Sequence, residues 1–173
     1  MTLANALSAV RGLLVIPVIG LVATSDTSLA LFVFLAAAAT DALDGPLARR
    51  RGATAFGAAL DPLADKILVV GTLAALTIRG LAPAWALVII LARELVAIEV
   101  RARAPLVLGA SADGKAKTVL QVAAIALLLA TAAWTSPALA APAYAVLAAA
   151  TALTVLSGVR LVLRAKQTTT HPA

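Results

Sequence analysis

The sequence predicts an all-α integral membrane bundle of six transmembrane helices with both termini cytoplasmic. Three observations carry this. Of the 173 residues, 62% are hydrophobic and 13% are charged, with a mean hydropathy of +1.03. An ordinary soluble domain is roughly 45–50% apolar and about 25% charged, so one soluble core with a polar surface is excluded, as are disorder and a coiled coil. The apolar residues gather into six stretches near the ~20 residues that cross a bilayer. Lys and Arg collect on alternate connections, the bias that orients a polytopic chain.

The first span covers about 9–24, after residues 2–8, which read as a short interfacial helix. The second covers about 28–49, following the turn residues Thr24-Ser25-Asp26-Thr27-Ser28. The third, about 58–79, follows the break at Arg51-Gly52, and the fourth, about 84–103, follows Gly80-Leu81-Ala82-Pro83. The fifth, about 116–134, comes after the run from Pro105 to Gly114; the sixth, about 139–164, comes after Thr135-Ser136-Pro137. A polar tail over 167–173 completes one domain covering 1–173, with no internal repeat. The first apolar stretch lacks a basic n-region and runs into Arg11, so no cleavable signal is expected. The many Ala residues favour close helix packing.

Arg49, Arg50 and Arg51 lie between spans two and three. Arg101, Arg103, Lys115 and Lys117 lie between four and five, and Arg164 and Lys166 follow the sixth. Only Arg79 falls on the other side, so that side is outside. Trp85, Trp134 and Tyr144 are expected at outer helix ends, as an interfacial aromatic belt.

Cys is absent, which removes disulfides, thiolate nucleophiles and Cys-ligated metals, and His171 is the one histidine. Catalysis therefore falls to carboxylates, hydroxyls, Lys and Arg. The net charge of +6 and pI of about 10.8 suit anionic headgroups and phosphorylated substrates. Nucleic acid is excluded, since aromatics are few and the basic residues sit between apolar segments.

The informative residues are charges inside apolar segments, which are functional by default. The second span ends Asp41-Ala42-Leu43-Asp44-Gly45-Pro46-Leu47-Ala48-Arg49, and the third begins Gly57-Ala58-Ala59-Leu60-Asp61-Pro62-Leu63-Ala64-Asp65. Spacings of three and four put each Asp pair on one helix face. One Asp at the bilayer centre costs roughly 3 kcal/mol, so four unpaired would approach ~10 kcal/mol. Two divalent cations would cancel the charge of four carboxylates, and all-oxygen ligation selects Mg²⁺ or Mn²⁺. Gly45 allows close approach to the backbone, and Arg49, one turn on, suits a diphosphate clamp. The composite reads as metal-assisted phosphoryl transfer. Pro46 deprives the Ala42 carbonyl of its helical partner and is expected to kink the second helix.

Simpler readings exist for the parts. Asp61 before Pro62 fits a helix N-cap and N1 proline. Arg49 to Arg51 fit a positive-inside stop. The whole set resists both, since neither needs four intramembrane carboxylates. A divalent-cation transporter would use the carboxylates but needs neither Gly45, Ala48 nor Arg49, and the outer halves of spans two and three lack acidic steps. A membrane scaffold has no use for them.

These residues resemble the CDP-alcohol phosphotransferase signature, D-x2-D-G-x2-A-R, a spacer, then G-x3-D-x3-D. The matching positions are Asp41, Asp44, Gly45, Ala48, Arg49, Gly57, Asp61 and Asp65. The resemblance implies displacement of CMP from a CDP-linked donor, CDP-diacylglycerol, by an alcohol. It implies that Asp41, Asp44 and Asp61 hold metal, that Asp65 contacts metal and serves as base, and that Gly45, Ala48 and Gly57 line the cytidine nucleotide pocket beside Asp44 and Arg49. It also implies a homodimer in the bacterial cytoplasmic membrane, with its site facing the cytoplasm.

The opening Asn5-Ala6-Leu7-Ser8-Ala9-Val10-Arg11 with Pro17, then Arg93-Glu94-Leu95, Gly114-Lys115-Ala116-Lys117-Thr118 with Gln121, and Ser157-Gly158 resemble the members that take glycerol 3-phosphate. Ser8 replaces the usual Thr and keeps the hydroxyl. Arg93, Lys115 and Lys117, with Arg160, are the candidates for binding the acceptor phosphate. In the alternative, Arg93 pairs with the Asp cluster or with Glu94 of another chain, because adjacent helical residues do not face each other. Lys115 and Lys117 are otherwise positive-inside flanks, and Glu99 with Arg103 fits a surface pair. Members that use phosphatidylglycerol share the signature but often carry Arg-Asp where this chain has Arg-Glu; an inositol-phosphate acceptor is more distant.

Overall fold

A computed structural model describes the backbone over residues 3–51, 55–103 and 112–170, and side chains chiefly over 8–40, 63–100 and 116–165. All regular structure among the described residues is helical: α1 Leu3–Ala23, α2 Thr27–Arg51, α3 Ala55–Ile78, α4 Ala84–Arg103, α5 Ala112–Ala133 and α6 Pro137–Thr170.

The three hairpins at one end are closed by the same device. After α1, Ser25 turns to φ 70° and the Asp26 N–H donates to the Leu21 carbonyl at 2.9 Å. After α3, Gly80 has φ 71° and Leu81 donates to Leu76 at 2.8 Å; after α5, Thr135 has φ 45° and Ser136 donates to Thr131 at 3.3 Å. Each is a left-handed residue that folds the next N–H back onto the last turn. The following helix starts at once. Asp26 caps α2, accepting from the Leu29 N–H at 3.1 Å, and Pro137 opens α6, where no N–H is needed. Arg79 donates to Ser25 Oγ, tying two of these turns together.

Three bounds differ from expectation. Residues 3–8 are continuous with α1 rather than a separate interfacial helix, since nothing between Leu3 and Gly12 breaks the helical pattern. α5 starts at Ala112, taking Gly114 into its first turn, and α6 runs through Lys166 to Thr170, where no Gly or Pro interrupts the chain. α2 continues through Pro46, whose side chain, like those of Arg101 and Arg103, lies outside the described residues.

α1 packs on α2 and α3, α5 on α2 and α6, and α4 on α6 and α3. The core face of α1 is Val15, Val18 and Val22; it meets Phe34 and Ala37 of α2 and Leu68, Leu73 and Leu76 of α3. At Gly71 of α3 an added Cβ would lie 2.6 Å from Val15 Cγ2, so the glycine sets the α1–α3 distance.

The outside is apolar. Ile16, Phe32, Ile67, Val88, Val119 and Leu156 are exposed on successive helices, and Ile78 is 86% exposed. A soluble monomer rarely shows contiguous apolar patches beyond a few hundred Å², so this exterior is built for lipid. Among the described residues, 116–133 and 137–165 are long and apolar enough to cross a membrane, and 8–23 and 27–40 are shorter apolar stretches. α3 and α4 carry interior charges, Asp65, Lys66, Arg93 and Glu94, that lower their hydropathy. Trp85 and Trp134 sit exposed at the end with the three turns, while Tyr144 lies about two turns into α6.

Candidate active site

The α2–α3 hairpin positions the acidic motif. Asp41 is ten residues before the end of α2 at Arg51, and Asp65 is ten residues after the start of α3 at Ala55. Asp44 is seven residues from the same end, and Asp61 is six from the same start. At about 1.5 Å per residue the two pairs are at similar distances from the joined ends of α2 and α3, which are in contact. The side chains of Asp41, Asp44, Gly45, Ala48, Arg49, Gly57 and Asp61 lie outside the described residues; Asp65 is half-buried. Four carboxylate-bearing positions near the joined ends of two adjoining helices, all of a type that offers hard oxygen donors, fit Mg²⁺ or Mn²⁺.

Beside this hairpin is a buried ionic cluster drawn from three helices. Glu94 of α4 is at its centre. Its Oε1 accepts from Arg93 Nη1 at 2.9 Å and from Lys117 Nζ of α5; its Oε2 pairs with Lys66 Nζ of α3 at 3.0 Å. The side chains of Arg93, Glu94 and Lys117 are 7–9% exposed, and that of Lys66 is 21% exposed. Arg93 Nε is buried without a hydrogen-bond partner among the described residues.

The expectation that Arg93 and Glu94 do not meet within one helix is overturned. Their Cβ atoms diverge by about 100°, but the long guanidinium arm folds back onto the neighbouring carboxylate. It can do so because α6 presents Gly158 there: a Cβ at 158 would lie 3.1 Å from Arg93 Cγ.

Arg93 and Lys117 are thus brought together, as the sequence suggests. Lys115 is in the first turn of α5, two residues and about 200° from Lys117; its side chain lies outside the described residues. Arg160 is exposed, about 200° around α6 from Gly158, so its Cα is on the far side from Arg93. Glu99 is exposed on α4.

Sequence reasoning missed three participants. Lys66 and Glu94 are charges inside apolar segments, the same signal that marks the aspartates. Arg11 is the third: it is 0% exposed, and its Nε donates to Thr40 Oγ1 of α2 at 3.1 Å, one residue before Asp41. Thr40 in turn donates to the Ala37 carbonyl at 2.7 Å. One turn beyond Lys117, Gln121 Nε2 donates to Thr154 Oγ1 of α6 at 2.9 Å, extending the polar lining between α5 and α6.

Residues 1–163 match the family model described as CDP-alcohol phosphatidyltransferase, which takes in both the acidic hairpin and the ionic cluster. The chain belongs to the CDP-alcohol phosphatidyltransferase family. It is 43% identical over 136 residues to a probable phosphatidylglycerophosphate synthase of Mycobacterium tuberculosis (strain ATCC 25618 / H37Rv), covering 77% of this chain and 64% of that protein. It is 42% identical over 101 residues to the CDP-diacylglycerol–glycerol-3-phosphate 3-phosphatidyltransferase of Bacillus subtilis (strain 168), covering 56% and 52%. It is also 43% identical over 101 residues to the cardiolipin synthase (CMP-forming) of Homo sapiens, covering 56% and 33%. The match thus spans less than two thirds of each of these relatives' length.

Proposed function

We propose that this CDP-alcohol phosphatidyltransferase transfers the phosphatidyl group of CDP-diacylglycerol to glycerol 3-phosphate, giving phosphatidylglycerophosphate and CMP. The observation that carries this reading is the buried cluster of Lys66, Arg93 and Lys117 at the depth of Asp65. A phosphorylated acceptor gives such cations a use; the carboxylate hairpin alone does not.

Asp41, Asp44, Asp61 and Asp65 would hold two divalent cations, Mg²⁺ or Mn²⁺, which when bound neutralise charge on the diphosphate. Asp44, Gly45, Ala48, Arg49 and Gly57 line the donor subsite, with Arg49 on the diphosphate. The acceptor phosphate rests on Arg93 and Lys117, with Lys115 in the first turn of α5 as an outer cation; Arg160, on the far side of α6 from Arg93, is left out of the site. This holds the primary hydroxyl beside Asp65. Asp65 takes the hydroxyl proton as the oxygen bonds to the β-phosphorus; the bond between that phosphorus and the bridging oxygen breaks, and CMP leaves with the electron pair. Holding acceptor and donor in this register is the main contribution of the fold.

In this reading all six helices span the cytoplasmic membrane, both termini and the site face the cytoplasm, and two chains form the homodimer that the family resemblance implies. The apolar exterior lets the acyl chains of the donor stay in lipid while its headgroup enters the site. The test is CMP release by purified protein in detergent with CDP-diacylglycerol and Mg²⁺. Release with glycerol 3-phosphate and none with phosphatidylglycerol supports the reading. The reverse makes the chain a cardiolipin synthase, the second reading, which the similarity to the human protein favours.

A further inference from the structure

A carboxylate in the middle of a phosphate site is unexpected, because it competes with the ligand for the same donors. Glu94 nevertheless uses both oxygens, accepting from Arg93 and Lys117 with one and pairing with Lys66 through the other. A knot that served only to join helices would match one cation to one carboxylate. Here three cations share one carboxylate, so the four bonded groups together carry +2. Concentrated positive charge is costly away from water unless an anion meets it. The orphaned Arg93 Nε points the same way, since a buried guanidinium donor without an acceptor is what an oxyanion satisfies.

We propose that Glu94 is a positioning residue that gathers Lys66, Arg93 and Lys117 into one anion site of net charge +2, selective for a phosphomonoester dianion over a phosphodiester monoanion. Lys66 is the new cation of this site. This deepens the acceptor assignment above and rests on it. A phosphomonoester carries about −1.5 to −2 at neutral pH, which the cluster balances; a diester carries one charge and leaves the cluster in excess. Three cations on three helices would drift apart by repulsion. Glu94 holds them at one spacing before the ligand arrives, so less ordering remains when it binds. Lys66 follows Asp65 directly, so the bond from Lys66 to Glu94 also fixes the height of the proposed base against the acceptor.

The experiment uses the full chain in detergent as wild type, Glu94→Gln and Lys66→Met. Calorimetry measures binding of inorganic phosphate and of glycerol 3-phosphate. CMP release gives separate KM values for CDP-diacylglycerol and for acceptor. Each variant is expected to weaken phosphate binding and raise the acceptor KM about tenfold or more, the scale of one charge-assisted hydrogen bond, with the CDP-diacylglycerol KM unchanged. Glu94→Gln binding phosphate as well as wild type, or better, overturns the proposal. Should that variant fail to fold, Lys66→Met decides, because it keeps the Arg93–Glu94–Lys117 bonds; unchanged phosphate binding there overturns the proposal too. If wild type binds phosphate but releases no CMP with glycerol 3-phosphate, the acceptor reading fails while the anion site stands. If wild type binds no phosphate, the anion site falls.

Discussion

Gly158 of α6 faces the stem of Arg93 of α4 so closely that a Cβ on the glycine would lie 3.1 Å from Arg93 Cγ. The contact is with a flexible methylene, so Gly158→Ala moves the side chain rather than the helices. Overpacking costs about 1 kcal/mol at the low end, and replacing a helical Gly with Ala returns about 1 kcal/mol. The two offset, and thermal unfolding in detergent should change little. Activity should not be spared, because the displaced guanidinium leaves its seat on Glu94. We expect the acceptor KM to rise several-fold with the CDP-diacylglycerol KM unchanged. A wild-type acceptor KM would show that Arg93 is not held by this contact.

Gly71 gives the opposite balance. Its missing Cβ would meet Val15 Cγ2 at 2.6 Å, and Val15 is a buried core residue. Gly71→Ala must separate α1 from α3, at about 1–3 kcal/mol. Val15→Ala should relieve the clash, so the double variant Gly71→Ala/Val15→Ala should be more stable than the two single losses added together. Additive losses in the unfolding midpoints would show that these side chains do not touch.

The six-helix, all-α arrangement and the family were legible because each rests on a local signal. Six apolar runs and the spacings of Asp41, Asp44, Asp61 and Asp65 require no knowledge of which helices touch. The hairpin ends were legible for the same reason, since Gly80 and Pro137 are punctuation in any context. The ionic cluster was not. Lys66, Glu94 and Lys117 are on three helices, and pairing them needs the packing of α3, α4 and α5. The sequence rule that neighbours on a helix diverge also failed at Arg93 and Glu94, because it describes Cβ directions and not the reach of a guanidinium. The small residue that makes the reach possible, Gly158, is 65 positions away on another helix.

Arg11 and Thr40 supply a third prediction. Arg11 is fully buried and donates from Nε to Thr40 Oγ1, immediately before Asp41. Thr40→Val keeps the shape and removes the acceptor, at a cost of about 1–3 kcal/mol for an unmet buried donor. A small shift of α2 at Asp41 should also lower kcat by up to about a hundredfold. Thr40→Ser, which keeps the hydroxyl, should restore both unfolding midpoint and CMP release. If Thr40→Val matches Thr40→Ser in both assays, the bond does not position α2.

The last prediction separates the two halves of the proposed site. Asn in place of Asp41, Asp44, Asp61 or Asp65 keeps a similar shape but removes one charge from the metal set. Each such variant should lose more than about a hundredfold in CMP release, the lower range for removing a positioned acid–base group. A metal ligand should do no less, so an active Asp61→Asn protein would refute the metal assignment. Chelation of divalent ions should likewise stop CMP release, and Mg²⁺ or Mn²⁺ should restore it, as all-oxygen ligation requires. Phosphate binding should survive both treatments, because Lys66, Arg93 and Lys117 are gathered by their bonds to Glu94. Loss of phosphate binding on chelation would mean instead that the acceptor phosphate is held through the metal, and the cation cluster would then be only a tie between helices.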